Sequence, residues 1–244
     1  MLSKSHLKLI NSLKQKKFRM QHRLFIAEGI KTINELLNSN IQLHQLYTTT
    51  LVFDVSDDLR TTITPKELKR ISFLKTPNTA LALFKIPEPQ PVDGSQLIVV
   101  LDDVRDPGNL GTIIRLCDWF GVRDLVCSLE TADCYNPKAI QASMGSISRV
   151  NVCYSDLIVF LEESNLKSYG AFMDGKDVYT QDLPKACILI LGNEANGISK
   201  ELEHQISKRI TIPRFGELKE TESLNVANAT AVLLSEFKRR TIEK

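Results

Sequence analysis

Two five-residue runs, Leu97-Ile98-Val99-Val100-Leu101 and Cys187-Ile188-Leu189-Ile190-Leu191, are apolar at every position. A strand that is apolar on both faces suits a buried parallel sheet covered by helices. Around them the pattern alternates between short apolar runs and segments of helical period. It predicts strands at 97–101, 123–127, 150–153, 169–173, 187–191 and 209–212, and helices at 109–120, 136–145, 155–165, 199–204 and 223–240. The earlier part of the chain reads as a smaller α/β unit. A helix is expected over 4–15, a basic connector over 16–23, and a strand from Leu24 to Gly29. A helix to Leu37 follows, then a strand over Leu43–Thr48, a short strand over Val52–Val55, and a turn or short helix at Asp57-Asp58. Thr64-Pro65-Lys66-Glu67 is a helix start, with Thr as cap, Pro at the first position and Glu at the third. Ala80–Lys85 closes the unit as a strand.

Between these units lies IPEPQPVDGS, residues 86–95, with three prolines and a glycine. Such a stretch continues neither helix nor central strand. It divides the chain into domains of residues 1–88 and 95–244. Charge divides it at the same place. Residues 1–90 hold 14 Lys and Arg against 7 Asp and Glu, whereas residues 91–244 hold 17 against 22. The first 23 residues carry seven basic side chains and no acid. Clustered Lys and Arg gain affinity for polyanions through phosphate contacts and counterion release. Lys14, Lys16, Lys17, Arg19 and Arg23 are therefore candidate polyanion-binding residues. A solvated, frayed helix is the plainer reading of the same charges.

The composition, 43% apolar and 25% charged, is that of a soluble globular protein. No apolar run approaches the roughly 20 residues that span a bilayer, and the N-terminus lacks a secretory pattern. Five cysteines, odd in number and never spaced C-x-x-C, argue against a disulfide framework or zinc site and for a reducing, cytoplasmic setting. The four histidines, at 6, 22, 44 and 204, form no ligand motif, which argues against a metal centre.

Three stretches carry candidate chemistry. In the first, strand 97–101 runs through Asp102-Asp103 into the turn Asp106-Pro107-Gly108, and a helix follows in which Asn109 and Arg115 stand six apart. A turn opening a helix places backbone N–H groups toward an anion. The spacing Gly108-Asn109-Leu110-Gly111 excludes the G-x-G-x-x-G dinucleotide loop. The second stretch is Leu191-Gly192-Asn193-Glu194-Ala195-Asn196-Gly197, a polar, glycine-rich loop after a buried strand. Such loops are ordinary strand-to-helix turns, and they are also where α/β folds bind ligands. The third runs from Ile212-Pro213-Arg214-Phe215-Gly216 to Ser223-Leu224-Asn225-Val226, where Ser223 is a plausible cap for the last helix. One decoy, Gly170 to Lys176, fits G-x-x-x-x-G-K. A strand is predicted inside it and Asp177 follows the lysine, so a nucleotide-phosphate loop is rejected.

In this order the three stretches resemble the signature motifs of the SpoU (TrmH) family of RNA ribose 2′-O-methyltransferases, in the SPOUT superfamily. Asn109, Gly111 and Arg115 match N-x-G-x-x-x-R, Leu191 to Gly197 match L-G-N-E-x-x-G, and Ile212, Pro213, Gly216 and Ser223 to Val226 match I-P-x-x-G…S-L-N-V. Residues 18–37 also resemble the small substrate-binding domain that precedes the catalytic domain in many members. The resemblance implies a parallel α/β sheet whose C-terminal segment threads a deep trefoil knot. It implies S-adenosyl-L-methionine held by backbone groups around Leu191, Gly192, Ile212, Pro213 and Leu224. Arg115 would activate the ribose 2′-hydroxyl, and Asn109, Glu194, Ser223 and Asn225 would hold phosphate, ribose and Arg115 in place. A homodimer is implied, with a site drawing on both subunits. Ribosomal RNA is favoured over transfer RNA by the added basic domain. A non-catalytic RNA-binding or ribosome-assembly protein remains the alternative of another class. Two departures from the pattern stand out: six residues, 217–222, separate Gly216 from Ser223 where many members have about three, and Ala227 replaces a common serine.

Overall fold

The computed structural model describes residues 2–216 and 223–241. The stretch 217–222, in which the third motif is longer than usual, lies outside them. By packing, the chain divides into two units, residues 1–88 with 133–148, and residues 89–132 with 149–244. The segment 133–148, which the linear reading leaves in the second domain, belongs to the first unit.

The first unit begins with α1 (Lys4–Ser12) and α2 (Lys16–His22). The basic run 16–23, expected as a connector, is thus mostly helical. Arg23 ends α2 in the left-handed conformation, φ 53°. Strand β1 (Leu24–Glu28), helix α3 (Ile30–Leu37), strands β2 (Leu43–Thr48) and β3 (Arg60–Thr62), helix α4 (Pro65–Ile71) and strand β4 (Ala80–Lys85) follow. The sheet order is β1-β4-β2-β3, antiparallel except for the β2–β3 pair. The short strand expected at 52–55 does not form: Val52 is exposed and only Phe53 is buried there. Pairing falls instead to residues 60–62, which have little apolar content to announce them. Helices α1 and α4 cover one sheet face. Ile10, Leu13, Leu68 and Ile71 pack there on Leu24, Ile26, Tyr47, Leu81 and Leu83. The expected Thr64 cap is a full capping box, in which the Thr64 side chain accepts from Glu67 N–H and the Glu67 carboxylate accepts from Thr64 N–H.

The second unit is a six-stranded parallel sheet. Its elements are β5 (Leu97–Leu101), α5 (Pro107–Trp119), β6 (Asp124–Cys127), β7 (Asn151–Tyr154), α7 (Leu157–Glu163), β8 (Ser168–Asp177), β9 (Cys187–Leu191), α8 (Lys200–Glu203), β10 (Lys208–Thr211) and α9 (Val226–Arg239). Helix α6 (Pro137–Ser143) belongs to the first unit. The strand order is β10-β8-β9-β5-β6-β7. The two all-apolar runs are the central neighbours β5 and β9, buried at every position. Ile98, Val100, Ile188 and Ile190 face α7 and α8 through Leu157, Leu161 and Leu202. Helices α5 and α9 pack on each other, with Ile113, Ile114, Cys117, Leu233 and Leu234 buried. Strand β8 runs through the whole Gly170–Lys176 decoy. No helix among the described residues is long and apolar enough to cross a membrane.

Candidate active site

In-register pairing of β5 with β9 sets Leu101 beside Leu191. The chain segments that leave these strands therefore begin side by side, at the carboxyl ends where parallel sheets bind ligands. The first of them enters α5 through Asp106, whose carboxylate accepts from Asn109 N–H at 2.9 Å. This cap fixes Asn109 on the first turn. The second forms a closed loop. Asn193 N–H donates to Gly197 O and Gly197 N–H to Asn193 O, both at 2.9 Å. Gly197 takes φ +72°, and a Cβ on Gly192 would collide with the backbone of Gly197, so the loop closes this tightly only over glycine.

Side chains then join the three motifs. Asn109 Nδ2 donates to Glu194 Oε1 at 2.8 Å. Asn225 Nδ2 donates to Asn109 Oδ1 at 3.1 Å. The relay Asn225–Asn109–Glu194 leaves Asn109 with both ends of its amide used. Asn225 Oδ1 accepts from Ala227 N–H at 3.0 Å and Asn228 N–H at 3.3 Å. It is therefore Asn225, not Ser223, that caps the last helix, which starts three residues later than expected.

Beside the relay opens a cavity of about 1230 Å³. Of the sequence-predicted residues, Leu191, Gly192, Glu194, Ile212, Pro213, Ser223 and Leu224 line it. Its walls are mostly apolar, with Val226, Ala229 and Leu233 of α9 on one side and Phe172 and Met173 of β8 on another. Arg209 stacks over the Phe172 ring at 3.6 Å and pairs with Asp174 and Glu203, which fixes that wall. Apolar surface with backbone groups exposed in the 191–197 loop suits a ligand with a flat base and a short polar chain.

Arg115 is not drawn into the relay. It lies exposed on α5, and among the described residues it has no hydrogen-bond or ion-pair partner. Of the basic candidates, Lys14, Lys16 and Lys17 are exposed. Arg19 is not an RNA contact: it is 2% exposed and donates to Leu13 O at 2.7 Å, Lys14 O at 2.8 Å and Asp133 Oδ2 at 2.9 Å. Every donor face of that guanidinium is occupied inside the first unit. Arg23 is half-buried and held by Ile86 O at 3.2 Å and by Glu88.

The positioning roles of three residues in these stretches escaped the sequence reading. Asp102 Oδ2 accepts from Ser199 N–H at 2.7 Å, anchoring the far end of the 192–199 segment. Asn193 Nδ2 donates to Asp103 O at 2.7 Å, while its Oδ1 accepts from Ala195 N–H at 2.8 Å. Asp103, at φ 56°, supplies that carbonyl from a left-handed turn. The signal available was the acidic pair itself. A carboxylate directly after a buried strand must find donors.

Residues 96–235 match the SpoU rRNA Methylase family, and residues 4–82 match the MRM3-like substrate binding domain. The chain is 31% identical over 235 residues to 23S rRNA (guanosine(2553)-2′-O)-methyltransferase RlmP of Bacillus subtilis, covering 91% of each chain. A TrmH-family structure from Porphyromonas gingivalis superposes with a TM-score of 0.88 at 37% identity, over 98% of this chain and 99% of that one. An AdoMet-bound rRNA methyltransferase from Sinorhizobium meliloti superposes with a TM-score of 0.85 at 28% identity, over 100% of this chain and 98% of that one. With the three motifs joined in one site and the match spanning 96–235, the chain belongs to the SpoU rRNA methylase family.

Proposed function

We propose that this protein transfers a methyl group from S-adenosyl-L-methionine to a ribose 2′-hydroxyl in structured RNA, with ribosomal RNA the favoured substrate over transfer RNA. The observation that carries the reading is the Asn225–Asn109–Glu194 relay, which joins all three motifs at the mouth of the cavity. When bound there, the cofactor supplies an electrophilic methyl on a sulfonium. The chain's own residues hold the reactants in line, and positioning of this kind supplies much of the rate. The 191–197 backbone and the α9 face set the donor. The relay fixes Glu194 and Asn225 against the incoming ribose. The Arg115 guanidinium clamps a substrate phosphate and stabilises the negative charge that develops on the 2′-oxygen as its proton passes to solvent.

The reading includes a homodimer in which Arg115 completes the site of the partner subunit. An exposed Arg115 that has no partner among the described residues, on the helix that also exposes Trp119, supports it. It also includes a C-terminal segment threaded as a trefoil knot. The support is that residues after β9 and after β10 line one cavity. Five free cysteines suit a cytoplasmic setting.

The test incubates the protein with tritiated S-adenosylmethionine and separated RNA fractions, including ribosomal subunits. Label in ribosomal RNA, mapped to a 2′-O-methyl nucleotide, is expected. Absence of label from every fraction favours the non-catalytic RNA-binding alternative. In the same assay Arg115→Ala should lower transfer by about 10²–10⁴-fold while calorimetry finds cofactor affinity unchanged. Single-turnover transfer at the wild-type rate by that variant removes Arg115 from the chemistry.

A further inference from the structure

We infer that helices α1 and α4 together form a basic band that docks the phosphodiester backbone of the folded RNA substrate. The inference deepens the function proposed above and rests on its RNA reading. The two helices lie alongside each other. Leu2 N–H, just before α1, donates to Glu67 Oε1 on the first turn of α4 at 2.9 Å. Lys14, just after α1, places its ammonium 4.8 Å over the ring of Phe73, just after α4. Starts meet starts and ends meet ends, so the helices run parallel.

Both helices turn their apolar stripes to the sheet through Ile10, Leu13, Leu68 and Ile71. The helical period then sends Lys4 and Lys8 of α1, and Lys66, Lys69 and Arg70 of α4, to the opposite side. All five are exposed. Lys14 and Lys75 extend the band at the end where the helices stop, and both are exposed. Lys4 with Lys8, and Lys66 with Arg70, are like-charged pairs one helical turn apart, an arrangement that destabilises an isolated helix. Such pairs on adjacent helices are relieved by an anion lying across them.

Opposing charge is nearly absent. From residue 2 to residue 23 and from residue 64 to residue 79 the sole acid is Glu67. Its carboxylate is already used by Thr64 N–H and by Leu2 N–H. The rest of the unit lacks this bias: α3, for instance, carries one lysine and one glutamate, Lys31 and Glu35. At about 13 Å, the length of a nine-residue helix, the band spans several phosphates rather than one. A surface of that kind positions RNA without reading its sequence.

The experiment uses the full-length protein and deproteinised 23S rRNA as probe, with binding followed by filter retention from 50 to 200 mM salt. A variant carrying K4Q, K8Q, K66Q, K69Q and R70Q is compared with wild type and with a K31Q/K85Q control, which removes exposed charges elsewhere in the same unit. All these side chains are exposed, and equal melting temperatures verify that the variants fold. The band variant is expected to bind at least tenfold more weakly at 50 mM salt. The slope of log affinity against log salt should shrink by about 3–5, near one for each phosphate that is no longer neutralised. The control is expected to change affinity less than twofold. In methyl transfer the band variant raises KM for RNA and leaves kcat and cofactor affinity alone. Wild-type affinity and slope in the band variant, or an equal loss in the control, overturn the band. A wild-type protein that binds RNA through the band yet methylates none overturns the proposed activity and leaves the band standing. A wild-type protein that binds no RNA overturns both.

Discussion

At the scale of single residues the site turns on Asn109. Its amide donates to Glu194 and accepts from Asn225. Aspartate has the same shape but nothing to donate. Asn109→Asp therefore sets a second carboxylate against Glu194 and keeps only the Asn225 bond. Two carboxylates at hydrogen-bond distance repel each other, so a favourable bond becomes an unfavourable contact. Methyl transfer by Asn109→Asp should fall at least about 10²-fold, while the cofactor Kd, set by the cavity walls, changes less than about threefold. Steady-state kinetics and calorimetry on one preparation separate the two. A parallel loss of cofactor affinity would show that Asn109 shapes the cavity rather than the reacting groups. Asn109, Glu194 and Asn225 were legible in the sequence because each sits in a motif at fixed spacing. The positioning roles of Asn193, although it sits in the second motif, and of Asp102 were not, because their work is to bond backbone groups 90 and 97 positions away. Arg19 misled for the same reason: among lysines it reads as surface, and its partner Asp133 stands 114 residues later.

At the scale of elements, apolar runs such as β5 and β9 announced themselves, since burial on both faces leaves no polar position. Helix α2 did not, because its seven residues carry three Lys and Arg side chains and no apolar stripe. The tie between β1 and α4 is another feature with no linear signal. Glu28, the last residue of β1, is buried, and its carboxylate accepts from Ser72 Oγ and from Phe73 N–H at the end of α4. Burial raises its pKa above the usual 4.5, against the two hydrogen bonds, which lower it. The folded state thus holds this proton more tightly than the unfolded chain does. The stability from Glu28 is complete below pH 4.5 and is lost as pH climbs through the raised folded value. Glu28→Gln stays neutral throughout. The gap Tm(Glu28→Gln) minus Tm(wild type), measured from pH 4 to pH 8, should widen upward from about pH 4.5 and then level off. A gap that narrows with rising pH would mean the ionised form is the one the fold prefers.

For the whole molecule, the proline-rich stretch 86–95 and the change in charge sign place a division near residue 88, and the packing places one there too. What a linear reading misses is that the first unit is discontinuous, because residues 133–148 complete it. Helix α6 packs on β1 with Ala139 and Ile140 buried, Tyr135 lies 5.0 Å from the Phe25 ring, and Asp133 neutralises Arg19. A fragment of residues 1–88 lacks all of these. Removing one partner of a buried ion pair costs about 3–5 kcal/mol, and uncovering the α6 face of β1 exposes apolar surface as well. Small domains have only about 5–15 kcal/mol in total. The fragment 1–88 is therefore expected to show a collapsed amide spectrum and to bind a hydrophobic dye. The same fragment joined to residues 133–148 through a flexible Gly-Ser linker should recover dispersed resonances and a cooperative melt. Changing Asp133 to Ala in that fusion should weaken it again, which separates the ion pair from the packing of α6. Should residues 1–88 alone give a dispersed spectrum and melt as sharply as the fusion, the segment 133–148 would be a passenger on a unit complete without it.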